Sequence, residues 1–128
     1  MTMRHILIVD DLADTRMLLR LILAGRGGYV TLEAATGAEA LALVAHQKPD
    51  AIIIDYMMPD MNGLEICQRL RVMPGLADLP ILMLTAQISP TLREEALAAG
   101  VTSFMTKPVI PADLLAEVAR LIGAAARV

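Results

Sequence analysis

The chain has a single cysteine, Cys67, and two histidines, His5 and His46, among its 128 residues. One cysteine excludes an internal disulfide, and its place within a helical pattern reads as a buried, inert thiol of a reducing compartment. The histidines stand far apart with no ligand-like spacing around them, which gives no support to a zinc centre. Basic clusters are also missing: 11 Lys and Arg face 14 Asp and Glu, for a net charge of −3. Direct nucleic-acid binding and adhesion to an anionic membrane are therefore not expected. Apolar runs are broken by charge or glycine well short of the roughly 20 residues needed to span a bilayer, and the N-terminus lacks the apolar core of a signal peptide. No repeat, linker or low-complexity segment stands out. These absences predict a cytoplasmic protein without membrane insertion.

What is present is apolar material in quantity, 56% of the residues, enough for the core of one domain. The most informative stretch is Ala51 to Gly63, Ala-Ile-Ile-Ile-Asp-Tyr-Met-Met-Pro-Asp-Met-Asn-Gly. Four apolar residues, three of them β-branched, run into Asp55, and turn formers follow. A strand without polar alternation is covered on both faces, as in a parallel sheet between helices. Its C-terminal carboxylate then lies at the edge where such sheets bind ligands.

His5 to Val9 reads as a second interior strand ending in Asp10-Asp11, followed by a helix over Leu12 to Leu23 that Gly25, Gly27 and Gly28 stop. Tyr29 to Ala34 alternates and suits a sheet edge. Thr36-Gly-Ala-Glu39 has capping-box spacing and predicts a helix from Gly37 to His46. Asn62-Gly-Leu-Glu65 repeats the signature for a helix closed by Pro74-Gly75. Pro80 to Thr85 is a third apolar strand, and Ser89-Pro90 opens a helix to Ala99 with Gly100 as its C-cap. Thr102 to Lys107 is a short mixed strand, and Pro111 starts a final helix toward Ala126. The alternation predicts an α/β fold with a doubly wound, five-stranded parallel sheet in the order 2-1-3-4-5, flavodoxin-like, flanked by five helices.

In that arrangement Asp10, Asp11, Asp55, Thr85 and Lys107 converge on one crevice. Gathered carboxylates repel one another unless protonated or paired with a cation, and oxygen donors suit a hard ion such as Mg²⁺. With the ion and the Lys107 ammonium present, the crevice suits a phosphoryl group, with Asp55 as nucleophile and the Thr85 hydroxyl as a hydrogen-bonding group. Taken singly, each residue has a plainer reading: Asp55 a turn residue, Asp11 a helix cap, Thr85 a strand end, Lys107 a solvated charge.

Val9-Asp10-Asp11, Asp55-Tyr-Met-Met-Pro59 with Gly63, Thr85-Ala86 and Phe104-Met-Thr-Lys107-Pro108 together resemble the receiver domain of two-component response regulators, of the stand-alone, chemotaxis-regulator type. The resemblance covers the chain as one domain, residues 1–128, without an output domain. It implies a phosphorelay protein in which Asp55 accepts a phosphoryl group from the phosphohistidine of a sensor kinase or phosphotransfer protein. Such a protein catalyses its own aspartyl phosphorylation and dephosphorylation. It further implies Mg²⁺ held by Asp11, Asp55 and the backbone carbonyl of Met57, with Asp10 acting through water. Lys107 and Thr85 would contact the phosphoryl group, Ala86 and Phe104 belong to the same binding site, and Phe104 is the aromatic switch. The downstream partner would bind the face of the fourth helix, fifth strand and fifth helix. A cis peptide before Pro108 is implied as well.

Two departures matter. Phe104 stands where many members have tyrosine, so its ring cannot offer a hydroxyl at the surface. Thr102-Ser103 replaces the acidic pair of the DNA-binding winged-helix subgroup, which weakens the case for that subgroup's dimer. A haloacid-dehalogenase-type phosphatase wants Asp-x-Asp-x-Thr or Val after its first strand, and neither acidic strand end fits. A flavodoxin-like carrier wants a phosphate-cradling loop where this chain has carboxylates. A receiver-like interaction module acting without phosphorylation is the remaining alternative, and the intact acidic and basic set argues against it. Lastly, the first helix carries more apolar surface than a sheet-facing stripe needs. Thr15, Leu18, Leu19 and Ile22 are expected inside, leaving Met17, Leu21 and Leu23 partly outside as a candidate docking patch.

Overall fold

The computed structural model describes residues 3–125. Five parallel strands, β1 (His5–Val9), β2 (Val30–Ala34), β3 (Ala51–Asp55), β4 (Ile81–Thr85) and β5 (Ser103–Thr106), form one sheet in the order β2-β1-β3-β4-β5. The helices are α1 (Ala13–Arg20), α2 (Gly37–His46), α3 (Gly63–Arg71), α4 (Pro90–Ala99) and α5 (Pro111–Ala125). The predicted strand order is observed, and so is the cis Lys107–Pro108 peptide. Boundaries shift by a residue at β2, β4 and β5, and Ala126 lies outside the described residues.

Because successive strand side chains face opposite ways, the apolar strands feed two cores. Leu7, Val9, Ile52, Ile54, Ile81 and Met83 pack with Ala40, Val44, Ile66, Cys67, Leu70 and Ala96 of α2, α3 and α4. Ile6, Ile8, Ile53, Leu82 and Leu84 pack with Leu19, Leu114, Val118 and Leu121 of α1 and α5. Cys67 is fully buried, and burial pushes its thiol pKa up, as an inert core cysteine requires. Each isoleucine of β3 is buried and contributes roughly 1.5–3 kcal/mol relative to exposure. These packed layers cover both faces of β3 up to the aspartate at its end.

The capping signatures are realised in detail. Thr36 Oγ1 accepts the Glu39 amide, Asn62 Oδ1 the Glu65 amide and Ser89 Oγ the Leu92 amide. Gly100 ends α4 in the left-handed conformation, φ +97°. The first helix differs from expectation. Instead of stopping near Leu23 it continues through a π-helical turn, Leu21–Arg26, and the chain breaks away only at Gly28, φ +74°. The buried stripe is also rotated: Leu19, Ile22 and Leu23 are inside and Leu18 is 51% exposed. A run of large apolar residues interrupted only by Arg20 marks its phase weakly, so packing against α5 and the sheet selects the face. Among the described residues no helix is long and apolar enough to cross a membrane.

Candidate functional site

Each interior strand delivers a polar group to the C-terminal edge of the sheet. The register pairs Val9 with Ile54, Asp55 with Leu84 and Thr85 with Thr106, so the residues ending or following these strands sit side by side. The backbone continues the alignment past the strand ends, with Tyr56 N donating to Leu84 O at 2.9 Å and Lys107 N to Thr85 O at 2.8 Å. Asp10 and Asp55 are buried, at 1% and 7% exposure, whereas Asp11 projects into solvent.

The three carboxylates offer oxygens that all lie within 4.8 Å of one another. Lys107 Nζ stands 3.1 Å from Asp55 Oδ1 and 3.6 Å from Asp10 Oδ2. One cation for two buried anions leaves a deficit of positive charge. Asp10 Oδ1 accepts the Leu12 amide at 2.9 Å, but Oδ2 is buried with no hydrogen-bond partner among the described residues. A buried carboxylate oxygen without a partner is costly. Together with an all-oxygen donor set this fits a hard divalent cation, and Mg²⁺ is the ion such a crevice suits. Asp11 is available to such an ion, because α1 has no side-chain N-cap and the helix-cap reading of Asp11 fails.

Burial raises the Asp55 pKa above its ordinary value. The hydrogen bond and charge of Lys107 oppose that effect, the negative Asp10 adds to it, and the Met57 amide opposes it. The Met57 side chain is 70% exposed, so only the backbone of this residue is near the crevice. Gly63 closes the loop behind Asp55: its amide donates to Tyr56 O at 2.8 Å, and a Cβ there would stand 2.8 Å from Asp55 O.

Thr85 Oγ1 is buried and donates to Gln87 O at 2.9 Å, so its hydroxyl is engaged within the β4–α4 loop; Ala86 beside it is exposed. Phe104, on β5, is half-buried, and the Arg93 guanidinium of α4 lies 4.7 Å from its ring centroid. Asp10, Asp11, Asp55 and Lys107 thus gather at one crevice, with Thr85 at the end of the neighbouring β4 and Phe104 on β5.

A family model described as the response regulator receiver domain matches residues 6–119. The chain belongs to the response-regulator receiver family. The response regulator MprA of Mycobacterium sp. (strain KMS) is 44% identical over 118 residues, covering 92% of this chain and 50% of the relative. The chain thus spans about half the length of the curated relatives it matches. Among solved structures, the chemotaxis protein CheY4 of Vibrio cholerae superposes with a TM-score of 0.90 at 37% identity, covering 94% of this chain and 99% of that one. The receiver domain of the sensor histidine kinase PA1611 of Pseudomonas aeruginosa PAO1, which has a magnesium ion coordinated in its active-site cleft, superposes at 0.87 with 29% identity, covering 95% and 99%.

Two residues of the receiver crevice's surroundings were not foreseen. Arg16 donates to Asp10 O at 2.7 Å and pairs with Glu33 at 3.2 Å, bracing the turn that carries Asp10 and Asp11. Asp60 accepts the amides of Gly37 and Ala38. Neither carries a local signature, because each acts across a fold-level contact.

Proposed function

We propose that this receiver is a phosphorelay protein that takes a phosphoryl group on Asp55 and answers by changing which partner it binds. The observation that carries this reading is a buried Asp55 carboxylate paired with Lys107 beside Asp10, whose second oxygen has no hydrogen-bond partner among the described residues. Asp11, Asp55 and the Met57 carbonyl would hold Mg²⁺, with Asp10 acting through water. The bound ion would offset the charge of the crevice and receive a phosphoryl oxygen. Asp55 supplies the attacking oxygen: an O–P bond forms as the N–P bond of a phosphohistidine breaks, and the leaving imidazole nitrogen retains the electron pair. Lys107 would move from the Asp55 carboxylate to the phosphoryl oxygens. Thr85 would exchange its bond to Gln87 O for one to the phosphoryl group, with Ala86 at the mouth.

The donor is a sensor histidine kinase or histidine phosphotransfer protein, docking against the exposed apolar residues Met17 and Leu21 on the helical segment that follows Asp11. The turn of Thr85 vacates space for Phe104, remodelling the α4–β5–α5 face for a downstream protein. Nucleic acid is not contacted directly, and the protein works in the cytoplasm without membrane insertion. Incubation with acetyl phosphate and Mg²⁺, followed by intact mass, tests the proposal. The expected product is an acid-stable, base-labile phosphorylated protein, absent with chelator and absent in Asp55→Asn. Equal labelling of that variant contradicts the assignment.

A further inference from the structure

The phosphoacceptor reading requires the Met57 carbonyl to stay in place, yet Met57 lies in an irregular loop, residues 56–62, between β3 and α3. The ends of that loop are tied by Tyr56 N to Leu84 O and Gly63 N to Tyr56 O. Its middle is held from a different direction. The Asp60 carboxylate straddles the first turn of α2, with Oδ1 accepting the Gly37 amide at 3.1 Å and Oδ2 the Ala38 amide at 3.2 Å. Two otherwise unsatisfied helix donors are met, and the negative charge faces the positive end of the helix. Both amides hold the Asp60 pKa below the ordinary carboxylate value.

The neighbouring Met61 reinforces the contact. A Cβ on Gly37 would stand 2.6 Å from Met61 Cγ and 3.0 Å from the Ile66 side chain, so the loop is seated directly on the glycine that opens α2. Thr36 satisfies the Glu39 amide from the N-cap position itself, so Asp60 serves the remaining first-turn amides from across the fold.

We propose that Asp60 is a positioning residue for the phosphoacceptor site, fixing the loop that presents the Met57 carbonyl by docking it onto the first turn of α2. The inference rests on the phosphoacceptor reading and goes beyond it, since the Asp60 carboxylate is engaged by the α2 amides and is not among the residues that would hold the ion or the phosphoryl group. Partners that orient metal ligands from behind typically change metal affinity by about 10-fold or more.

The test compares Asp60→Ala and Asp60→Asn with Thr36→Ala, a variant that removes a cap of the same helix without touching the loop. Mg²⁺ dissociation constants are measured by amide chemical-shift titration with no phosphodonor present, and thermal unfolding is measured in chelator. Asp60→Ala is expected to weaken Mg²⁺ binding about 10-fold. Asp60→Asn, which keeps one acceptor oxygen, should lose less, and Thr36→Ala should lose stability but keep its Mg²⁺ affinity. Acetyl phosphate labelling of Asp60→Ala should slow at low Mg²⁺ and recover at saturating Mg²⁺. Unchanged affinity in Asp60→Ala, or equal weakening in Thr36→Ala, overturns the role of Asp60 while leaving the phosphoacceptor reading intact. Failure of the unmodified protein to bind Mg²⁺ overturns both.

Discussion

Lys107 Nζ lies 3.1 Å from Asp55 Oδ1, and this one contact joins the end of β5 to the end of β3 across the strand between them. It also decides how the crevice responds to charge. Asp55 has a raised folded-state pKa because burial outweighs the help of Lys107. A raised value means that its ionised form works against the fold. The associated stability is therefore fully present below the ordinary carboxylate value of 3.8 and is lost as pH rises through the folded-state value.

Removal of the lysine should deepen that loss. In chelator at neutral pH, Lys107→Met is expected to destabilise the protein by roughly 1–3 kcal/mol, since two buried carboxylates lose the ammonium paired with both of them. The difference from the unmodified protein should shrink on acidification toward pH 3.8 and also on addition of Mg²⁺. Urea unfolding at the two pH values measures both effects, and a pH-independent difference would mean that Lys107 acts by packing alone.

Glu117 provides the opposite sign. Hydrogen bonds from Arg120 and Ser103 lower its pKa from 4.5 to about 2. Its contribution is present above 4.5 and is lost as pH falls toward 2. Arg120 is largely exposed, so solvent screening keeps the effect small. Glu117→Gln should show that deficit at pH 7 in urea unfolding and close the gap with the unmodified protein near pH 2 to 3.

The proposed switch would be read at Arg93 and Phe104. With beryllium fluoride and Mg²⁺, amide signals of Thr85, Phe104 and residues 90–99 should shift together, because packing makes the rearrangement discrete. The guanidinium over the Phe104 ring favours its present position by about 0.5–1 kcal/mol. Arg93→Ala should therefore raise the population of the inward ring about two- to fivefold before any phosphate is added. Shifts confined to the acidic crevice would rule out this coupling.

Docking is tested on α1. Met17 and Leu21 are 46% and 59% exposed, so glutamate at either position should leave stability within about 0.5 kcal/mol of the parent. Met17→Glu should slow transfer from the cognate phosphohistidine protein roughly tenfold, and Leu21→Glu somewhat less, with acetyl phosphate labelling intact. Unchanged transfer in both variants would remove α1 from the docking surface.

The parts of this protein that are legible in its sequence are those written in local chemistry. Ile52 to Ile54 can only be a doubly covered strand, and Thr36, Asn62 and Ser89 announce their helices through side chains that cap them. The convergence of Asp10, Asp55, Thr85 and Lys107 follows from strand order alone. The face of α1 is not legible, since Met17 to Leu23 is apolar on every side except Arg20, and a π-helical turn alters its phase. Asp60 and Arg16 are likewise invisible, because their partners lie on elements brought close only by the finished fold. Leu18, expected inside and found outside, shows the limit of periodicity when polar residues do not mark the solvent side.

The most direct test of the central assignment is chemical trapping of the acyl phosphate. After incubation with acetyl phosphate and Mg²⁺, borohydride reduction converts an aspartyl phosphate to homoserine, and peptide mass spectrometry locates it. The account predicts homoserine at position 55 alone, only when Mg²⁺ is present. Homoserine at position 10 or 11, or none at all in a protein that binds Mg²⁺, would contradict it.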